Sequence, residues 1–150
     1  MQVIHQELNQ FFKSLITYLK RHYIEDYYIG SVFSDNKNIV YFPITPYELK
    51  KQKLKIAIVY NLKALRFEVW LAGQNKQIQK HYWEIFKDSD WNTYHIPQSI
   101  TDSFSIVDSV LIKDPDFNKS EQMIEEIESK SLEFIKEVEE VLKQKNVPFH

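Results

Sequence analysis

Arg66, Glu68 and Trp70 stand at two-residue steps in an alternating stretch. In an extended chain that spacing puts a guanidinium, a carboxylate and an indole on one surface. Together they could hold a flat, polar ligand, with the indole stacking on a ring and a charged group fixing its edge. The same three residues would equally suit a half-covered sheet face, with Trp70 under a helix and the charges paired across strands. Gln74, His81 and Trp83 follow closely enough to border that surface, so the six form the candidate ligand-binding set. No residue is assigned a catalytic or metal-binding role, and no cofactor is implied.

Three other groupings carry possible chemistry. His81, Tyr82, Trp83, Trp91, Tyr94 and His95 form an aromatic and histidine cluster. The two histidines could do acid–base work or ligate a metal, but no H-x₃-H or H-E-x-x-H spacing accompanies them, and packing at the edge of the core is the expectation. The pairs Asp88/Asp90 and Asp114/Asp116 could hold a divalent ion, yet they stand beside Ser, Pro and Asn, where aspartate makes turns and caps. Lys50, Lys51, Lys53 and Lys55, with Lys63, Lys76, Lys80 and Lys87, would give a salt-sensitive phosphate-binding patch if they shared one side. A solvated helix end and a lysine-protected edge strand explain that run as well.

The elements that must position these groups are built without much glycine. Gly30 and Gly73 are the only two, and there is no cysteine among the 150 residues. Two glycines so far apart exclude G-x-G-x-x-G, a P-loop and a G-x-S-x-G elbow, and the missing thiols exclude cysteine nucleophiles, thiolate metal sites and disulfides. The net charge of −2 hides a split. Residues 1–87 carry 13 basic and 7 acidic side chains, and residues 88–150 carry 6 and 14. An anionic partner, or neutralisation of one half by the other, would account for it, and neutralisation is the plainer expectation. Only Arg21 and Arg66 are arginines, which argues against base-specific nucleic-acid reading. No signal peptide is evident, and the longest apolar run, Ile56–Tyr60, is too short to span a bilayer, so a cytoplasmic location without membrane contact is expected.

Ile4, Leu8, Phe11, Phe12, Leu15, Leu19 and Tyr23 predict a helix over 3–23. Tyr27–Phe33 and Ile39–Ile44 predict a hairpin through the glycine-free loop Ser34–Asn38. Thr45-Pro46-Tyr47-Glu48 reads as a capping box opening a short helix to about Gln52. Leu54–Leu62 and Leu65–Ala72 form a second hairpin, with Leu65, Phe67, Val69 and Leu71 pointing opposite to Arg66, Glu68 and Trp70. Gly73 ends that strand, Asn75 caps a helix, and Ile78, Tyr82, Ile85 and Phe86 form its buried stripe. Weaker extended stretches follow at Thr93–Ile96 and Ile106–Ile112. The turn at Asp114-Pro115-Asp116 then leads to a closing helix over about Lys119–Gln144, with Ile124, Ile127, Phe134, Ile135, Val138, Val141 and Leu142 on one side. The expected fold is one α+β domain: an antiparallel or mixed sheet of two hairpins plus one or two further strands, packed by an N-terminal, a middle and a long C-terminal helix.

Leu54–Lys87, together with Tyr41–Lys50 and Phe134–Leu142, resembles a family of small uncharacterised bacterial proteins, a resemblance that implies no activity. More distantly, the order strand (Arg66–Leu71), helix (Asn75–Phe86), strand, long terminal helix is similar to an uncharacterised domain grouped with restriction-endonuclease-like folds. Such nucleases hold Mg²⁺ with an Asp followed by Glu-x-Lys or Gln-x-Lys. Gln74-Asn75-Lys76 is the nearby candidate, it lies at a predicted helix entrance, and no Asp occurs in Leu54–Ala72, so only the architecture is carried over. The chain is expected to be a non-catalytic binding or interaction module for a small polar ligand or a protein partner, with a homodimer through the terminal helix conceivable. The competing expectation is a nucleic-acid-binding or nuclease-like enzyme using the basic part.

Overall fold

The computed structural model describes residues 2–35, 38–100 and 103–145, the side chains of residues 2–5 excepted. The first helix, α1 (Gln2–Tyr23), buries Leu8, Phe11, Phe12, Leu15 and Leu19, the stripe its periodicity predicts. The side chain of Ile4 lies outside the described residues. Lys20, Arg21 and His22 occupy the last turn, where cations meet the negative end of the helix dipole.

The first hairpin differs from its expectation in one residue of register. The run Tyr27–Phe33 is two strands, β1 (Tyr27–Ile29) and β2 (Phe33–Asp35), both antiparallel to β3 (Ile39–Pro46). Ile29 faces Ile44 and Phe33 faces Tyr41, so residues 30–32 oppose only residues 42–43. Such a bulge inverts the side-chain alternation beyond it, and Phe33 is turned to the face opposite Ile29. Gly30 sits in the bulge, donating its N–H to the Pro43 carbonyl at 3.1 Å; a Cβ there would stand 2.7 Å from Pro43 Cγ. In the predicted loop Ser34–Asn38, Ser34 and Asp35 belong to β2, whereas Asn36 and Lys37 lie outside the described residues.

The capping box does not form. Pro46 is the N-cap of α2 (Tyr47–Lys51) and no side chain caps it. Thr45, fully buried, instead accepts from the Ile56 N–H at 3.1 Å and donates to the Ile56 carbonyl at 3.3 Å, tying β3 to the neighbouring strand. A buried hydroxyl with a strand backbone beside it is satisfied there, leaving the helix end to solvent.

The second hairpin joins β4 (Leu54–Asn61) to β5 (Arg66–Gly73) in unbroken register from Leu54↔Gly73 to Asn61↔Arg66. Asn61 Oδ1 accepts from the N–H groups of Lys63 and Ala64, each at 3.0 Å, an Asx turn that replaces glycine. Leu65 belongs to that turn at φ 55° and is exposed, so it does not share the core face with Phe67 as expected. Asn75 caps α3 (Lys76–Lys87) as predicted, its side chain accepting from the Ile78 N–H at 2.9 Å. Gly73 meets that helix closely: a Cβ would stand 2.6 Å from Gln79 N and 2.9 Å from Gln79 Cα. Backbone cannot yield as a flexible side chain does, so Gly73→Ala should lower stability by about 1–3 kcal/mol in urea unfolding, the range for overpacked sites. A loss below about 0.5 kcal/mol would mean that α3 rides freely on β5.

The last strand, β6 (Val107–Lys113), pairs with β5, with a bulge between Phe67 and Glu68. Thr93–Ile96 is not a strand; its one contribution is a bridge from His95 to Asp108. After a 3₁₀ turn at Phe117–Lys119, α4 (Ser120–Gln144) runs along β6 and buries six of its seven predicted stripe residues plus Met123 and Ser131, Ile124 being only half-buried. The six strands form one antiparallel sheet, β1-β3-β4-β5-β6, with β2 beside β1 on the same edge of β3. Val40, Phe42, Ile56, Ile58, Tyr60, Phe67, Val69 and Leu71 occupy one face and share a single core with the stripes of α1, α3 and α4. Glu128 of α4 accepts hydrogen bonds from both Tyr18 and Tyr23 of α1; burial and that bond hold the Tyr23 phenol above its ordinary range. Among the described residues no helix is long and apolar enough to cross a membrane.

Candidate functional site

Three long helices on one face leave the other face of the sheet to its own side chains. Alternation and register put Tyr41, Pro43, Lys55, Ala57, Val59, Arg66, Glu68 and Trp70 there, with Phe33 beside Tyr41 across the bulge. The centre of this face is paved with small side chains, Ala57 and Val59, and both are fully buried. On the same face Lys55 places its ammonium 5.3 Å from the Tyr41 ring centre.

Glu68 is the hub. Its carboxylate, buried but for a few per cent, accepts from Arg66 Nε at 2.7 Å, Asn61 Nδ2 at 3.2 Å and Trp70 Nε1 at 2.7 Å. The pairing runs along one strand, not across strands as the structural alternative supposed. A buried carboxylate with three donors is stable because each donor offsets part of the lost hydration, and in return it orients the donors. Arg66 and Trp70 are thereby held in fixed poses, and Asn61 links the hub to the hairpin turn. Trp70 lies beneath an aromatic partner the sequence did not announce: Phe104, from the loop before β6, stacks with it at 6.4 Å between ring centres and 2° between planes. Phe104 is 62% exposed.

Beside Phe104 opens a hollow of about 720 Å³ lined by Gly73, Asn75, Lys76, Gln79, Lys80 and Ser103, among others. Of the remaining predicted site residues, Gln74 is exposed at the end of β5, its N–H donated to the Lys53 carbonyl at 3.0 Å. Trp83 is half-buried on α3, packed against the core, with its indole N–H donated to the Pro97 carbonyl at 2.7 Å. His81 is also half-buried on α3, its ring edge-on to Tyr82 at 4.9 Å. The α3 residues that line the hollow are Lys76, Gln79 and Lys80, one helical face away from His81 and Trp83. The structure therefore joins Arg66, Glu68 and Trp70 through direct hydrogen bonds, while the other three stand apart from that network.

The other groupings are structural where they are described. Trp91 packs between Phe86 and Tyr94, and Tyr94 lies on Phe134. Asp88 is the C-cap of α3, Asp90 and Asp114 adopt positive φ in turns, and Asp116 caps the 3₁₀ turn. No cluster of three or more metal-ligating side chains occurs among the described residues. A serine, a histidine and an aspartate do converge, but in the wrong order for a nucleophilic triad. Asp108 receives His95 Nδ1 at 3.1 Å and the Ser105 hydroxyl at 2.7 Å, so the serine proton goes to the carboxylate, not to the imidazole. Lys55 lies on β4, which is central in the sheet, and Lys53 stands in the turn before it at φ 64°, so edge protection does not explain them. Gln74-Asn75-Lys76 is the entrance of α3, and its Asn75 side chain is engaged as the cap.

The molecule is thus an α+β domain with an antiparallel sheet covered by helices on one face and carrying an aromatic and charged network on the other. The chain belongs to the family described as a domain of unknown function (DUF7000), whose profile matches residues 1–142. No curated protein and no solved structure shows significant similarity to it.

Proposed function

We propose that the chain is a non-catalytic binding module whose recognition surface is the open sheet face around Trp70. The observation that carries this reading is the Trp70–Phe104 pair: two parallel rings, one of them 62% exposed, anchored by a saturated buried carboxylate and opening onto a hollow. An exposed phenylalanine held parallel to an indole costs solvation and has a use when a flat ring stacks there. Arg66 presents the charged edge, fixed through Glu68. Gln74 borders the face at the end of β5, and His81 and Trp83 of the original set serve as supports of α3 behind the hollow.

Thermal melting with adenosine, riboflavin and nicotinamide as probes tests the reading. At least one should raise the Tm of the native chain. Phe104→Ala should abolish that rise while changing the ligand-free Tm by less than about 2 °C, because so exposed a ring contributes little to folding. A rise that survives Phe104→Ala, or no rise with any probe, would count against this surface as a small-ligand site.

A further inference from the structure

Trp70 and Phe104 are not alone on the open face. Phe33 and Tyr41 form a second stacked pair, 5.7 Å between centres and 29° between planes, and Phe33 is 55% exposed. Tyr41 lies in the row of Glu68, two strands away, and Trp70 is two residues further along β5. With strands about 4.8 Å apart and about 3.3 Å per residue, the two pairs are separated by roughly 12 Å, room for two separate flat rings. Cations are interleaved with them. Lys55 lies over Tyr41, Lys50 lies 4.7 Å from the Tyr28 ring centre, and Lys76 and Lys80 line the hollow beside Phe104.

None of these four lysines joins an ion pair among the described residues. The ion pairs that do occur there are Lys51–Glu48, Arg66–Glu68, His95–Asp108 and Lys130–Glu126, each within one of the two oppositely charged halves. Among the described residues, then, no ion pair joins the two halves. Two carboxylates beside the Trp70/Phe104 pair are engaged, Glu68 by three donors and Asp108, which faces Trp70 across the strands, by His95 and Ser105; Asp35 stands two residues from Phe33 on β2. An occupant that matches two stacking platforms and a rim of unpaired ammonium groups carries flat rings and anions in alternation.

Resting on the binding-module reading, we propose that this face binds single-stranded nucleic acid with little sequence preference. Bases stack on the Phe33/Tyr41 and Trp70/Phe104 pairs, and phosphates meet Lys50, Lys55, Lys76 and Lys80. The scarcity of arginine fits, since stacking accepts any base and ammonium groups suffice for phosphate. A duplex hides its rings from such a surface.

Fluorescence anisotropy with labelled oligothymidylate, and with a duplex of equal length, decides the matter. The single strand should bind at low salt and more tightly than the duplex. Phe33→Ala and Phe104→Ala, both at exposed positions that leave the fold intact, should each weaken binding about tenfold or more. Lys55→Gln with Lys76→Gln should reduce the slope of log affinity against log salt by about 1.4. No binding at low salt would overturn the proposal. So would equal binding of duplex and single strand with the phenylalanine variants unaffected, which would be plain electrostatic adsorption. If oligothymidylate fails while adenosine or riboflavin still raises Tm through Phe104, the nucleic-acid assignment falls and the binding module stands; if both fail, both readings fall.

Discussion

Replacing Glu68 with alanine should cost the fold about 2–4 kcal/mol, equivalent to roughly 5–15 °C in Tm for a domain of this size. The carboxylate is the common acceptor for three donors, and its removal leaves the Trp70 indole N–H, the Asn61 amide and the Arg66 guanidinium without it. Arg66 is partly exposed and recovers some hydration, which keeps the loss below that of a fully enclosed ion pair. Glu68→Gln should fall between alanine and the native residue. Whichever way its amide is turned, the NH₂ group faces a donor, with Trp70 on one side and Arg66 and Asn61 on the other. Urea unfolding at constant m-value checks this, with the tryptophan emission as the probe. A loss under about 0.5 kcal/mol in Glu68→Ala would show that the network holds nothing together, and the fixed poses assigned to Arg66 and Trp70 would go with it.

The largest loss is expected on the opposite face of the same strand. Phe67 is fully buried and lies within 5.3 Å of Phe11, 5.8 Å of Phe12, 4.8 Å of Tyr60 and 6.3 Å of Phe117, measured between ring centres. It therefore touches α1, β4 and the turn before α4 at once. Phe67→Ala removes that ring from a site bounded by rigid elements that collapse poorly, and should cost about 3–5 kcal/mol. Phe67→Leu should recover more than half. If alanine costs less than about 1.5 kcal/mol, the aromatic cluster is looser than its geometry implies. The two variants also separate two roles: Phe67→Ala should leave ring stacking at Phe104 unchanged in the surviving folded fraction, whereas Glu68→Ala should impair it, since Trp70 loses its anchor.

Much of the architecture was legible because it depends on near neighbours in the chain. The stripes of α1, α3 and α4 follow from three- and four-residue spacing, and the Asn75 cap needs only an amide three residues on. The two faces of β5 follow from alternation, which set Arg66, Glu68 and Trp70 apart from Phe67, Val69 and Leu71 before any partner strand was known. The Thr45 hydroxyl has two suitors: the helix entrance is visible in the local sequence, whereas the Ile56 backbone that engages it lies eleven residues away. Thr93–Ile96 has strand composition but among the described residues gains a single bridge, His95 to Asp108.

What the sequence determined by itself is local and chemical. Helix faces, strand faces, turns made with Asn and Asp, and the exclusion of glycine-dependent phosphate loops and thiol chemistry all follow from residue types at short range. Tertiary structure decided which side chains meet. The bulge at Gly30 moved Phe33 beside Tyr41, because one added residue inverts the alternation that follows. The loop before β6 delivered Phe104 to Trp70, and the placement of all three long helices on one face left Glu68 and its donors on the other. Register and loop closure are properties of strands paired at a distance, and no window of adjacent residues encodes them.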